Sequence, residues 1–298
     1  MTAPRILTAR RDEVGECPVW DAAAQALYWV DIQGRQMHRL DWSDGVQHSW
    51  TAPERIGCIA LGTEGRVLLA METGIYAVTP QDGPGLSPVL VAGITHPQAA
   101  MRFNDGRCDA LGRFWVSTMC MDMTPPSPVG TWMCLDTGGL RASALGGLVT
   151  ANGLAFSPDG RTMYFSDSHP SVQKIWSCDY DLATGTPGAP RSFIDMAPLP
   201  GRPDGAAVDA QGHYWICAND AGLVHRFDPA GRLVQSVAVP VPKPSMCAFG
   251  GPDLDVLLVT SIQPAQGATP LCGAVFALEV GVQGLPEPRC TRHPPIPR

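Results

Sequence analysis

Charge is scarce in this chain: only 16% of its 298 residues are Asp, Glu, Lys or Arg. That scarcity excludes a disordered or coiled-coil protein, both of which rely on dense charge. No run of Lys or Arg occurs, and the formal net charge is −7 at pH 7. A nucleic-acid partner is therefore not expected, because neither a long-range attraction for phosphates nor a local basic stripe is present. No apolar stretch approaches the ~20 residues needed to cross a bilayer. Nor does the N-terminus, Met1-Thr2-Ala3-Pro4-Arg5, lead into an apolar h-region. The expectation is a soluble, cytoplasmic protein with no membrane partner. The chain also lacks any C-x-x-C pair among its 10 cysteines. Several of these sit in apolar runs, as Cys134 and Cys217 do, which reads as free buried thiols in a reducing compartment, with a disulfide or thiolate metal site as the weaker alternative. Missing too are G-x-S-x-G, H-E-x-x-H and G-x-x-x-x-G-K-[ST], and with them the serine-hydrolase, zincin and P-loop readings.

Hydrophobic residues, by contrast, make up 45% of the chain, enough for a substantial core. The 32 glycines and 29 prolines are spread along the whole length, so they punctuate many short elements and do not mark a linker. No segment of a dozen residues carries apolar positions at i, i+3, i+4 and i+7, which disfavours an α/β architecture.

A strand phrase recurs instead. Leu27-Tyr28-Trp29-Val30, Val67-Leu68-Leu69-Ala70, Phe114-Trp115-Val116, Met163-Tyr164-Phe165, His213-Tyr214-Trp215-Ile216 and Val256-Leu257-Leu258-Val259 are short, rich in β-branched and aromatic residues, and bounded by Gly, Asp or Pro. Each follows a partner strand across a tight turn, such as Ala110-Leu111-Gly112-Arg113, Ser157-Pro158-Asp159-Gly160 or Ala210-Gln211-Gly212. The period is roughly 40 to 50 residues, the range of a four-stranded blade. Six repeats predict an all-β, six-bladed β-propeller that forms one domain over residues 1–298.

In a propeller, residues at one offset in successive repeats converge on one mouth of the channel. Counting back roughly 11 to 13 residues from the second strand of a repeat reaches Glu16, Asn104, Asn152 and Asp204. Asn104-Asp105-Gly106, Asn152-Gly153 and Pro203-Asp204-Gly205 are also ordinary turn formers when taken singly. Glu16 is not, since no turn or cap calls for a Glu directly before an apolar strand. Two carboxylates and two amides, with no His or Cys at the equivalent positions, describe an oxygen site for one divalent ion: Ca²⁺, Mg²⁺ or Mn²⁺, with Zn²⁺ or Fe²⁺ also compatible. The seven histidines are scattered, and His213 reads as a hydrogen-bonded core residue inside an apolar strand.

Glu16-Cys17-Pro18-Val19-Trp20, Arg102-Phe103-Asn104-Asp105-Gly106, Ser117-Thr118-Met119, Asn152-Gly153-Leu154-Ala155, Pro203-Asp204-Gly205 and Cys247-Ala248-Phe249-Gly250-Gly251 occur in that order along the chain. In these motifs the sequence resembles the gluconolactonase/regucalcin (senescence marker protein) family. The resemblance implies a six-bladed propeller that hydrolyses a sugar lactone, with a metal held by Glu16, Asn152 and Asp204. It also implies substrate contacts from Arg102 and Asn104, and from Asp122 where the family often has Glu.

Lactone hydrolysis passes through a tetrahedral oxyanion, which a metal at the carbonyl oxygen stabilises. Asp204, with a second oxygen free, is the expected base, and attack by a metal-held hydroxide is the competing route. Asp31, Met119 and Ser245 are further loop candidates. A monomer or weak homodimer acting on a small sugar lactone is the expected assembly. A calcium-binding regulator, an interaction scaffold and a metal-dependent esterase or phosphotriesterase are the alternative functions.

Overall fold

The computed structural model describes residues 3–81 and 83–296. Among them there is no α-helix, and the strands form six antiparallel sheets. The inner strand of each sheet is, in order, Gly15–Asp21, Ile56–Leu61, Met101–Cys108, Ala151–Phe156, Arg202–Val208 and Pro244–Gly250. Each of these touches the inner strands of both neighbours, and the sixth returns to the first. The chain is therefore a six-bladed β-propeller, as its repeat predicts.

The second strands, Ala26–Asp31, Val67–Met71, Phe114–Cys120, Thr162–Asp167, Tyr214–Asn219 and Val256–Ser261, contain the apolar runs of the repeat. They are buried almost throughout because each blade packs both faces against its neighbours, and this is why they lack strict polar–apolar alternation. Trp20, Trp29, Trp115, Trp132 and Trp215 lie fully buried in these layers. The sixth blade takes its outer strand from the other end of the chain: Arg5–Ile6 pairs with Phe276–Glu279. All ten cysteines are free and buried.

Tight turns join inner to second strands at one end of the channel, here called the far mouth. Asp109 Oδ1 accepts from the backbone N–H of Leu111 at 2.9 Å and of Arg113 at 3.0 Å. Asp209 does the same for Gln211 and His213. Gly112 (φ 81°) and Gly212 (φ 82°) supply the left-handed step these turns require. This geometry corrects the placement of His213. It closes the turn and precedes the strand, which begins at Tyr214, and it is only partly buried.

At the near mouth every inner strand carries a bulge shortly after it begins. Pairing with the second strand lapses between Glu16 and Val19, Ile56 and Cys58, Phe103 and Gly106, Asn152 and Ala155, Pro203 and Ala206, and Pro244 and Cys247. A bulge re-aims side chains that a regular ladder would send into the blade faces. It also corrects the single shared offset. Glu16 and Asn152 are the last paired residues before their bulges, opposite Val30 and Ser166, whereas Asn104 and Asp204 lie one position later, inside theirs. The residues after Glu16 and Asn152 are left-handed, Cys17 at φ 50° and Gly153 at φ 69°.

Candidate metal and substrate site

Four inner strands bring Glu16, Asn104, Asn152 and Asp204 to the near mouth. Asn104, Asn152 and Asp204 are only 8%, 6% and 7% exposed, and Glu16 keeps partial exposure. The polar atoms are closely linked. Asn104 Nδ2 donates to Asn152 Oδ1 at 3.0 Å and to the Ala151 carbonyl at 2.9 Å. Asn104 Oδ1 accepts from Arg102 Nη1 at 2.7 Å, and Asn152 Nδ2 donates to Ser168 Oγ at 2.7 Å.

These partners fix both amides, because an amide nitrogen cannot face a donor. The Asn104 oxygen is turned to the Arg102 cation. Asn152 Oδ1 has a lone pair to spare, as it accepts one bond of the two it can take. Asp204 differs from its sequence-based reading in one respect: Oδ2 is not free but accepts from Asn219 Nδ2 at 2.6 Å. Asn219 in turn faces Lys243 Nζ, 3.4 Å from its Oδ1, and Lys243 and Arg202 both pair with Asp220.

The site is short of positive charge at its centre. Removal from water raises the Glu16 carboxyl well above the usual carboxylate range, and repulsion from Asp204 and Asp105 adds to this. Burial likewise raises Asp204 to about 7, against the opposing Asn219 hydrogen bond and the Arg202 charge. Burial lowers Arg102 to about 10, so it remains a cation at neutral pH. Among the described residues no three His, Cys, Asp or Glu side chains cluster as a metal site, so any ion here would draw on amide oxygens as well. An all-oxygen set of two carboxylates and an amide fits a hard divalent cation, which would favour the ionised form of both acids.

Asp122 stands on the exposed near-mouth loop that follows Cys120, itself paired with Met101 beside Arg102. Its carboxylate accepts from the Thr124 backbone N–H at 3.1 Å, within its own loop. The three loop candidates take structural places. Asp31 accepts from the backbone N–H groups of Glu13, Val14 and Gly34. Met119 is buried opposite Arg102, and Ser245 donates across the blade boundary to the Gly15 carbonyl. Sequence reasoning passed over Asn219 and Lys243. Asn219 ends its second strand where Asp31 and Asp167 end theirs, so repeat position was the available clue.

Residues 14–263 match the family model described as the SMP-30/gluconolactonase/LRE-like region. The 6-deoxy-6-sulfogluconolactonase of Pseudomonas putida is 38% identical over 281 residues, covering 92% of this chain and 94% of that protein. The L-arabinolactonase of Azospirillum brasilense is 33% identical, covering 97% and 96%. Among solved structures, a calcium-binding protein, regucalcin, from Agrobacterium tumefaciens superposes with a TM-score of 0.89 at 29% identity, covering 96% and 97%.

Proposed function

The chain belongs to the SMP-30/gluconolactonase/LRE-like family, and from that membership we propose that it is a metal-dependent lactonase that opens a sugar lactone to its aldonic acid. The observation that carries this reading is the convergence, from separate blades, of two desolvated carboxylates and an amide oxygen with a lone pair to spare. Relatives named as lactonases of several sugars support the reaction class.

Glu16, Asn152 and Asp204 would hold the ion, and Asn219 restrains the Asp204 carboxylate through Oδ2. A divalent ion there would supply electrostatic stabilisation of the developing oxyanion and lower the pKa of water. Arg102 and Asn104 would orient the ring through its hydroxyls, and Asp122 would close over it from its loop. The Asn219 bond leaves Asp204 Oδ2 one further lone pair, on which Asp204 would take the water proton. The reading takes residues 1–298 as one domain acting on a small molecule in a reducing compartment, in keeping with the ten buried thiols.

The test is acid release from a panel of aldonolactones by chelator-stripped protein supplied singly with Ca²⁺, Mg²⁺, Mn²⁺, Fe²⁺ or Zn²⁺, beside Asp204→Ala. Because Arg102, Arg202 and Lys243 stand near the same mouth, the panel includes lactones bearing an anionic substituent. Turnover that is restored by metal and lost in the variant is expected. Metal binding with no turnover of any lactone would overturn the reading in favour of a calcium-binding or esterase role.

A further inference from the structure

The Asn152 amide owes its direction to a backbone kink that no strand ladder supports. Pairing lapses between Asn152 and Ala155, and Gly153 at φ 69° turns the chain through it. Two side chains from neighbouring blades take up the groups left over. From the third blade, Asp105 accepts the Leu154 backbone N–H on Oδ2 at 2.9 Å and its own neighbour Gly106 N–H on Oδ1 at 2.7 Å. From the fifth, Tyr214 donates its hydroxyl to the Gly153 carbonyl at 2.7 Å. The fit is close: a Cβ on Gly153 would lie 2.6 Å from the Tyr214 hydroxyl and from Ser166 Oγ alike.

The choice of a carboxylate at Asp105 is informative. The residue is 4% exposed, so burying its charge is costly, a cost that Arg107 and the backbone N–H groups offset in part, and its repulsion raises Glu16 and Asp204 in turn. A side chain that must accept from two backbone N–H groups on two different oxygens has to be a carboxylate, since an amide would set a donor against one of them. We propose that Asp105 and Tyr214 are positioning residues: they clamp the Asn152-Gly153-Leu154 kink from both sides and so aim Asn152 Oδ1 into the near mouth. Both residues are buried, Tyr214 completely. The inference rests on the reading of Asn152 as a metal ligand.

Metal affinity tests it without recourse to activity. Full-length protein is stripped with chelator and titrated with Mn²⁺, free ion being followed by electron paramagnetic resonance, for wild type, Asp105→Asn and Tyr214→Phe, with thermal melting of each metal-free protein. Asp105→Asn is expected to weaken Mn²⁺ binding about 10- to 100-fold, as loss of outer-shell support does. Tyr214→Phe removes one neutral hydrogen bond and is expected to weaken it about threefold to tenfold. If Asp105→Asn does not melt cooperatively, Tyr214→Phe decides. Wild-type affinity in a cooperatively melting Tyr214→Phe or Asp105→Asn protein overturns the clamp while leaving the metal reading intact. Failure of wild type itself to bind Mn²⁺ overturns the ligand assignment and the clamp with it.

Discussion

The two mouths of the channel are built from the same repeat and treat their polar groups in opposite ways. At the near mouth, bulges bring Glu16, Asn152 and Asp204 together, where burial raises two acids that form no ion pair among the described residues, Arg102, Arg202 and Lys243 opposing the rise from further off. At the far mouth the chain between Gln283 and Arg292 crosses under the blades and satisfies what it meets. Ala210 N–H donates to the Gln283 carbonyl at 2.9 Å, Cys290 N–H to Leu61 at 2.7 Å, and Thr291 N–H to Gly112 at 3.0 Å. Arg107, reaching down from the third inner strand, pairs with Glu287 of this strap at 2.7 Å. Beside that pair lies a cavity of about 270 Å³, lined largely by apolar side chains such as Phe156, Val208, Phe249 and Leu285, which contains none of the candidate site residues. The far mouth commits most of its polar groups to closure by the strap. Among the described residues Glu16 and Asp204 form no ion pair, whereas Arg107 and Glu287 do.

The sharpest way to break this contrast is at the far mouth. Glu287→Ala leaves the Arg107 guanidinium, about 12% exposed, without its carboxylate. Removing one partner of a buried pair costs about 3–5 kcal/mol, which denaturant unfolding would register. Arg107 also offsets the buried charge of Asp105, so lactone turnover of the folded variant, at saturating metal, is expected to change by less than about tenfold. A large loss of turnover without loss of stability would mean the two mouths are coupled. The complementary change is Asn219→Ala at the near mouth, which takes the 2.6 Å donor from Asp204 Oδ2. Metal affinity or turnover should fall about 10- to 100-fold, with unfolding little altered. If Asn219→Ala leaves both untouched, Asp204 needs no orienting partner.

This division also explains what could be read from sequence. The blades were legible because each second strand, buried on both faces, is an apolar run bounded by turn formers. The far-mouth turns were legible because Asp109 and Gly112, or Asp209 and Gly212, combine in a turn with a local mechanism. The candidate site was legible in part, since Glu16, Asn104, Asn152 and Asp204 recur at nearly one offset, and an acid before an apolar strand has no local explanation. Their true placement on two adjacent positions was hidden, because a bulge adds a residue on one strand without changing its composition. The setting of Asp31 was hidden for a related reason: its carboxylate accepts from three backbone N–H groups that only the folded loop brings together. Asp105, Tyr214 and Asn219 act across blade boundaries or between strands, on partners up to 61 residues away. No spacing rule reaches such pairs. Closure by Arg5–Ile6 was equally silent, since a two-residue strand carries no pattern of its own.

The smallest expected effect sharpens the comparison from within the near mouth, where one group is satisfied in the manner of the far mouth. His225, on the third strand of the fifth blade, Leu223–Phe227, is buried, with Nε2 3.0 Å from the Pro200 carbonyl and Nδ1 2.8 Å from Ser236 Oγ. A neutral ring fits both contacts, Nε2–H donating to the carbonyl and Nδ1 accepting from the hydroxyl. Pro200 ends the loop that delivers Arg202 and Asp204 to the site, so the ring restrains that approach. Burial lowers the His225 pKa below its ordinary 6.5, opposed only by the Pro200 bond. Its contribution to stability is therefore complete above the unfolded value and is lost as pH falls through the lower, folded one. Between pH 7 and pH 5 the wild-type Tm should drop by about one to four degrees more than that of His225→Gln, which cannot take up the proton. Equal drops in the two proteins would show that protonation of this ring does not limit the stability of the loop, and that the acid sensitivity of the near mouth resides in other groups.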